Sequence, residues 1–333
     1  MLRFVVHADH RLTLLPYREH WAEELAPRIE LVSYDELFHS ASVPLCTHVF
    51  TDVDRLAPEE RENAAWFWNV LERAPSPVKL LNHPLRVRCR YELLRELKER
   101  GWNDFDVYRL SEHRTPARFP VFVRSETDHF GPESELLASH DELEAAVEAL
   151  RAQGKCPRAR LVVEYAAEAS PDGLFRKYGA FFVDGTVVPR HILFARGWLV
   201  KGKTKVLEDG LREEERRFME ENAHARNVAE IFRIARTDYG RIDYTFVNGR
   251  LQTYEINLNP TVINAGPLER TQKKLRFTEA LSAAFVRLEA ASPEGRGMRP
   301  RMLRLDPPLK ERRARVSSRV LRRLLGRQLR PTI

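Results

Sequence analysis

The segment RIDYTFVNGRLQTYEINLNP, Arg241 to Pro260, carries Asp243, Glu255 and Asn257 close to Arg241 in what reads as strand, turn and strand. A two-residue turn at Asn248 and Gly249 would oppose Asp243 to Tyr254 and Ile242 to Glu255, mixing polar and apolar side chains on both faces. One extra residue, in a three-residue loop or a bulge beside the turn, pairs Ile242 with Ile256, Tyr244 with Tyr254, Thr245 with Thr253 and Asp243 with Glu255. That register puts Arg241, Asp243, Thr245, Thr253, Glu255 and Asn257 on one face, because strand side chains alternate. Two carboxylates directly opposite each other cost stability unless positive charge lies between them. A divalent cation meets that need. Magnesium takes oxygen ligands, commonly one or two carboxylates together with phosphate and water, and Asp243, Glu255 and the amide oxygen of Asn257 offer such a set. The competing reading is a solvated acidic face neutralised by Arg241.

The same residues carry a resemblance. GRIDYTF followed by YEINLNP resembles the metal-binding end of the ATP-grasp superfamily, which includes the D-alanine D-alanine ligases and many carboxylate-amine ligases. There an Arg-x-Asp strand is followed about a dozen residues later by Glu-x-Asn-x-x-Pro, matched here by Glu255, Asn257 and Pro260. The resemblance implies that Asp243, Glu255 and Asn257 hold magnesium on the phosphates of ATP and that Arg241 stabilises charge at the reacting acyl centre. It also implies phosphate contacts from Arg90, with Arg88 or Arg86 as weaker candidates. A further contact falls to Arg124, in FPVFVRSE, where the family usually has lysine; arginine offers a broader, bidentate fork in that place. LVVEY resembles the hinge strand whose backbone reads adenine, which points to Glu164 as a ribose ligand. Arg176 in RKY and Lys201 in WLVKGKTK fall on the substrate side. For each single cation the alternative is a solvated charge, and His191 in VPRHILF reads as a core or edge histidine. RSETDHFGP reads as a loop covering the phosphates.

The implied function is a magnesium- and ATP-dependent ligase that joins a carboxylate to an amine or similar nucleophile through an acyl phosphate. Two rivals share some of the signals: an ATP-grasp kinase of a small molecule, and a non-catalytic nucleotide-binding adaptor recruited by a basic tail.

The elements that must position these residues alternate between helix and strand. At 333 residues the chain exceeds the size at which single cores stop growing. The expected fold class is mixed α+β and α/β: an ATP-grasp fold with a small α/β domain over residues 1–80 before it, the grasp domain over 81–290, and a basic helical tail over 291–333. Within the grasp domain, about 105–165 is expected as a central lid and 166–290 as the metal and substrate part. TLLPY, IELVSY and THVFTD read as strands of the first domain and PEERENAAWFWNVLERA as a helix started by Pro58. VKLLN reads as a strand, and CRYELLRELKERG as a helix closed by Gly101. DVYRL, FPVFVRS and RLVVEY read as strands, with a helix from a Ser139–Glu142 capping box between the last two. Asp184-Gly185 reads as a hairpin turn, and one long helix carrying Val228, Ile231, Phe232 and Ala235 follows.

Charge is distributed unevenly. Arg296 to the end holds 13 Lys and Arg against Asp306 and Glu311, a local +11, which leaves the body at about −4 of the overall +7. A mildly acidic body argues against a nucleic-acid-binding fold. In the tail, Val316, Val320, Leu321, Leu324 and Leu325 lie at helical spacing among arginines, the pattern of an amphipathic helix for an anionic membrane, nucleic acid or an acidic protein, or of a helix docked on its own domain. Cys46, Cys89 and Cys156 fit neither a disulfide framework nor zinc-ligand spacing. No run of about 18 apolar residues occurs and the amino terminus lacks the signal-peptide plan, so a cytoplasmic protein, peripheral to a membrane at most, is expected.

Overall fold

The computed structural model describes residues 1–200, 206, 208–264, 270–291 and 299–305. The first 81 residues build a parallel sheet. Leu2–Val6 (β1) is followed by a short helix, Leu15–His20 (α1), then Ile29–Ser33 (β2), Tyr34–His39 (α2), Ser42–Pro44 (β3), Thr47–Phe50 (β4), Pro58–Glu72 (α3) and Leu80–Leu81 (β5). The sheet order is β2-β1-β4-β5, with every pair parallel. All five residues of β1 are buried, as a strand covered on both faces requires. This first strand is LRFVV. TLLPY, expected as a strand, instead runs into α1, where Pro16 sits in the first turn and Tyr17 is buried. Pro58 starts α3 as expected, the Glu60 carboxylate accepts from Ala57 N at 2.9 Å, and Ala64, Phe67, Trp68 and Leu71 turn inward at helical spacing.

Asn82, directly after β5, ties this sheet to the rest of the chain. It is fully buried with φ at +64°, a left-handed conformation asparagine tolerates better than most residues. Its Oδ1 accepts from Asp238 N and Tyr239 N, and its Nδ2 donates to Tyr239 O at 2.8 Å. Asn82→Ala therefore orphans buried backbone groups as well as straining φ, and should cost about 3 kcal/mol in urea unfolding. Asn82→Gly relieves only the strain and should stay less stable than the wild type. A loss under about 1 kcal/mol for alanine would mean that this junction does not hold the two parts together.

The next body comprises Arg90–Glu99 (α4), Val107–Arg109 (β6), Val121–Ser125 (β7), His140–Ala152 (α5) and Arg160–Glu164 (β8). β6, β8 and β7, in that order, form an antiparallel sheet. Ser139 caps α5 by accepting from Glu142 N, while the Glu142 carboxylate reaches back to Ala138 N rather than completing the box on Ser139.

The remaining elements are Phe175–Val183 (β9), Thr186–Ala195 (β10), Asp209–Glu221 (α6), Ala225–Ala235 (α7), Tyr239–Val247 (β11), Arg250–Asn257 (β12), Gln272–Ala290 (α8) and Met302–Arg304 (β13). A four-stranded sheet, β10-β9-β11-β12, is antiparallel throughout. Both hairpins turn on two residues with positive φ, Asp184-Gly185 and Asn248-Gly249. The expected long helix is two helices, because Asn222 ends α6 at φ +48°. β13 lies inside the stretch expected to be tail. It pairs antiparallel with β3, and Leu305 is buried in the core. Residues 306–333, with the expected amphipathic helix, lie outside the described residues, as does Lys201. Among the described residues no helix is long and apolar enough to cross a membrane.

Candidate functional site

The four-stranded sheet brings one row of residues together. His191 on β10 opposes Gly179 on β9, Gly179 opposes Asp243 on β11, and Asp243 opposes Glu255 on β12. Opposite residues in such a sheet share a face, so the expected pairing of the two carboxylates is present. Ile242 opposes Ile256 as expected too. Beyond Asp243, however, the register differs: Tyr244 opposes Thr253 and Thr245 opposes Gln252, so the extra residue is Tyr254 in mid-strand and not beside the turn. The reason lies in Asn248-Gly249, whose positive φ values fit a two-residue turn and leave the adjustment to be made farther along. A second bulge falls at Arg190, between Pro189, which opposes Ala180, and His191. Each bulge breaks the alternation and re-aims a side chain. As a result two consecutive pairs, Arg190 with His191 and Tyr254 with Glu255, all line one cleft of about 930 Å³.

Arg124, Glu164, Arg176, Arg241, Asp243 and Glu255 all line this cleft, so six of the residues singled out in the sequence converge. Glu255 is held by Arg90 at 2.6 Å and by Arg124 at 2.8 Å, with the His129 ring 3.6 Å away. Burial alone would raise the Glu255 carboxyl, but Arg124, Arg90 and His129 outweigh it and hold the group well below the usual carboxylate range. Asp243 is held by Arg241 at 2.9 Å and by Lys177 at 3.3 Å. Arg90 is buried; its guanidinium also donates to the backbone carbonyls of Ser125, Glu126 and Asp128. It thereby pins the loop that covers the cleft, and His129 of that loop reaches Asp54, in the connection between β4 and α3, at 3.6 Å. Both arginines keep a buried, unpartnered Nε.

Three expected ligands have protein partners of their own, and Asn257 keeps a free lone pair on its Oδ1. The Glu164 carboxylate accepts from Asp106 N, Tyr108 Oη and Ala117 N and pairs with Arg118, which fills the lone pairs it has. Arg176 is clamped by Glu214, at 2.8 and 2.9 Å, and by Asp172. Asn257 stands opposite Arg241 and its Oδ1 accepts from Asn259 N at 2.9 Å, fixing the loop after β12. Residues not expected from sequence are Lys177, His129, Arg190, Tyr254 and Trp198. The other end of the cleft is apolar, with Leu94, Phe105, Phe122, Val163 and Trp198. Trp198 lies 5.5 Å from the Phe122 ring centre. An aromatic surface beside β8 suits a flat heterocycle.

No family model matches the sequence and no curated protein matches it. Solved structures do. D-alanine–D-alanine ligase from Bacillus anthracis superposes with a TM-score of 0.52 at 13% identity, over 87% of this chain and 96% of that one. The same enzyme complexed with ATP gives 0.50 at 12% identity, over 86% and 98%. The ligase from Coxiella burnetii gives 0.50 at 10% identity, over 87% and 94%. The chain has the ATP-grasp fold.

Within this ATP-grasp fold the donors at the β11–β12 pair can be weighed against the magnesium that the family implies. Asp243, Glu255 and Asn257 are hard oxygen donors, as magnesium requires. The surroundings are nevertheless cationic. Arg90, Arg124, Arg241 and Lys177 already compensate the two carboxylates. Among the described residues no group of three or more His, Cys, Asp or Glu is placed to hold a metal ion. The set therefore fits a cation that arrives on a polyphosphate, whose negative charge takes over the guanidinium contacts, and not a free cation.

Proposed function

We propose that this chain is a ligase that uses ATP to join a carboxylate to an amine or a similar nucleophile. The observation that carries this reading is the convergence, in one cleft, of an opposed carboxylate pair, the compensating cations Arg124, Lys177 and Arg241 and an aromatic pocket, with Arg90 of α4 bracing Glu255 from behind. In this reading the aromatic end takes the base of the nucleotide. Arg124 and Arg90 exchange Glu255 for phosphate oxygens, and the loop pinned by Arg90 excludes water from them. Asp243, Glu255 and Asn257 would hold magnesium, which neutralises charge on the reacting phosphates when bound. The substrate carboxylate lies near Arg241 and Lys177. One of its oxygens attacks the terminal phosphorus, ADP leaves, and the amine then displaces phosphate from the acyl carbon with loss of a proton. Arg241 meets the negative charge that grows on the acyl oxygen. These residues act by placement and charge, and no side-chain nucleophile takes part.

Calorimetric titration with ATP tests the reading. Binding is expected to tighten at least tenfold when magnesium is present, whereas magnesium alone should give no heat. Strong binding of free magnesium, or ATP binding indifferent to the metal, would count against the assignment of Asp243, Glu255 and Asn257.

A further inference from the structure

Arg190 stands apart from the other cations of the cleft. Arg124, Arg176, Lys177 and Arg241 each have a carboxylate partner. Among the described residues Arg190 has none, and its guanidinium rests 4.3 Å over the Phe277 ring of α8. Regular alternation along β10 would turn either Arg190 or His191 away; the bulge sends both to the cleft. The His191 ring leans across Gly179, where a Cβ would come within 2.7 Å of Nε2, and that nitrogen is buried without a partner. Burial first, and then Arg241, Arg190, Lys177 and Lys273 around it, keep this imidazole neutral, so it offers one N–H. Arg190 and His191 both line the cleft, the guanidinium without an ion pair among the described residues, with Glu215 the only carboxylate whose charge acts on it, and the ring with its Nε2 buried and unpartnered; such a pair describes a receptor lacking its anion.

The position sets what the anion belongs to. Glu255 and the arginines that hold it stand at β12, and Arg190 and His191 at β10, three strand spacings or about 14 Å away. That is too far for a single phosphate to serve both. Arg241 and Asp243 on β11, where the reacting carboxylate is placed, lie between. We propose that the acid substrate carries a second anionic group, a carboxylate or a phosphate, which is seated on Arg190 and His191, roughly two strand spacings or about 10 Å from the group that is activated. This inference rests on the ligase reading for the role of the first carboxylate, while the anion subsite itself needs only β10.

Calorimetry on the intact protein, with and without a non-hydrolysable ATP analogue and magnesium, separates the two claims. Unbranched monocarboxylates, dicarboxylates and phosphorylated hydroxy acids of four to six carbons serve as probes. Dianions are expected to bind at least tenfold more tightly than monocarboxylates of equal length in both states. Arg190→Gln should erase that preference and Arg190→Lys should keep most of it, which a packing role on Phe277 would not produce. Whether dicarboxylates or phosphorylated acids bind better assigns the second group. Equal binding of mono- and dianions, no binding of any dianion, or a preference that survives in Arg190→Gln overturns the subsite. A dianion preference without nucleotide binding would leave the subsite standing and remove the ligase reading. Nucleotide binding without the preference would do the reverse.

Discussion

On the proposed ligase reading, Glu255→Gln is expected to lower ADP-forming turnover about a thousandfold, the scale of losing one carboxylate that would hold the metal against the phosphates, roughly 4 kcal/mol. It should also destabilise the protein by about 3 kcal/mol, because two guanidiniums, Arg90 and Arg124, would lose the carboxylate that compensates them. A third consequence is more diagnostic. With glutamine at 255 the arginines are free to take phosphate directly, so ATP without magnesium should raise the thermal midpoint of the variant more than that of the wild type. Turnover assay, urea unfolding and thermal shift measure the three effects. A stable variant with normal turnover would remove Glu255 from the site, and a destabilised variant indifferent to metal-free ATP would reduce it to a structural ion pair.

Stability should also fall steeply in mild acid. His48, in the middle of β4, is fully buried; its Nδ1 donates to Cys46 O at 2.9 Å and its Nε2 has no partner. Burial, with Arg3 adding to it, pushes the imidazole down to about 3. In the unfolded chain the same ring titrates near 6.5, so below that pH the unfolded state takes up a proton that the folded state refuses. The contribution of this histidine is complete above about pH 6.5 and is lost as the pH falls toward 3, by about 2 kcal/mol between pH 7 and pH 5. His191 is depressed in the same direction and adds to the slope. Glu255 acts in a separate window. Its carboxyl is lowered on folding, so the stability it confers is present above the unfolded value near 4.3 and is lost only as the pH drops toward the folded value. Urea midpoints at pH 7, 6 and 5 should therefore decline in the wild type and decline less in His48→Gln. An unchanged slope in that variant would mean that His48 is not what limits acid stability.

The site was legible where residue chemistry is local. Opposed carboxylates in matched strands follow from alternation and from the cost of mispairing, and Arg241 two residues before Asp243 must share its face. Of the counter-charges, Arg241 was legible, whereas the ion pairs made from other elements were not. Lys177, His129 and Arg90 reach the carboxylates from three other elements, and no spacing in the sequence announces a contact between residues 90 and 255. The bulges escaped for a different reason. A bulge is settled by competition between turn geometry and pairing, and only the turn, at Asn-Gly, leaves a sequence signature. His191 read as a core histidine because regular alternation gave it no unusual partner. In the fold, hairpins and capped helices were readable from Gly, Asn, Pro and Ser, whereas β1 was obscured because burial on both faces, Arg3 included, leaves no alternation, and β13 by the arginines around it.

One pairing bears on the order in which the molecule can be assembled. β3, within the first 44 residues, is completed by β13, at Met302–Arg304, and the amino-terminal ammonium is matched by Glu289 at the end of α8. During synthesis β3 therefore waits for about 260 further residues before its partner strand exists. Contacts this distant along the chain are slow to form, and the interval leaves the β3 edge and its apolar neighbours open. Residues 302–304 thus close the β3 edge only after the elements between the two strands have been made.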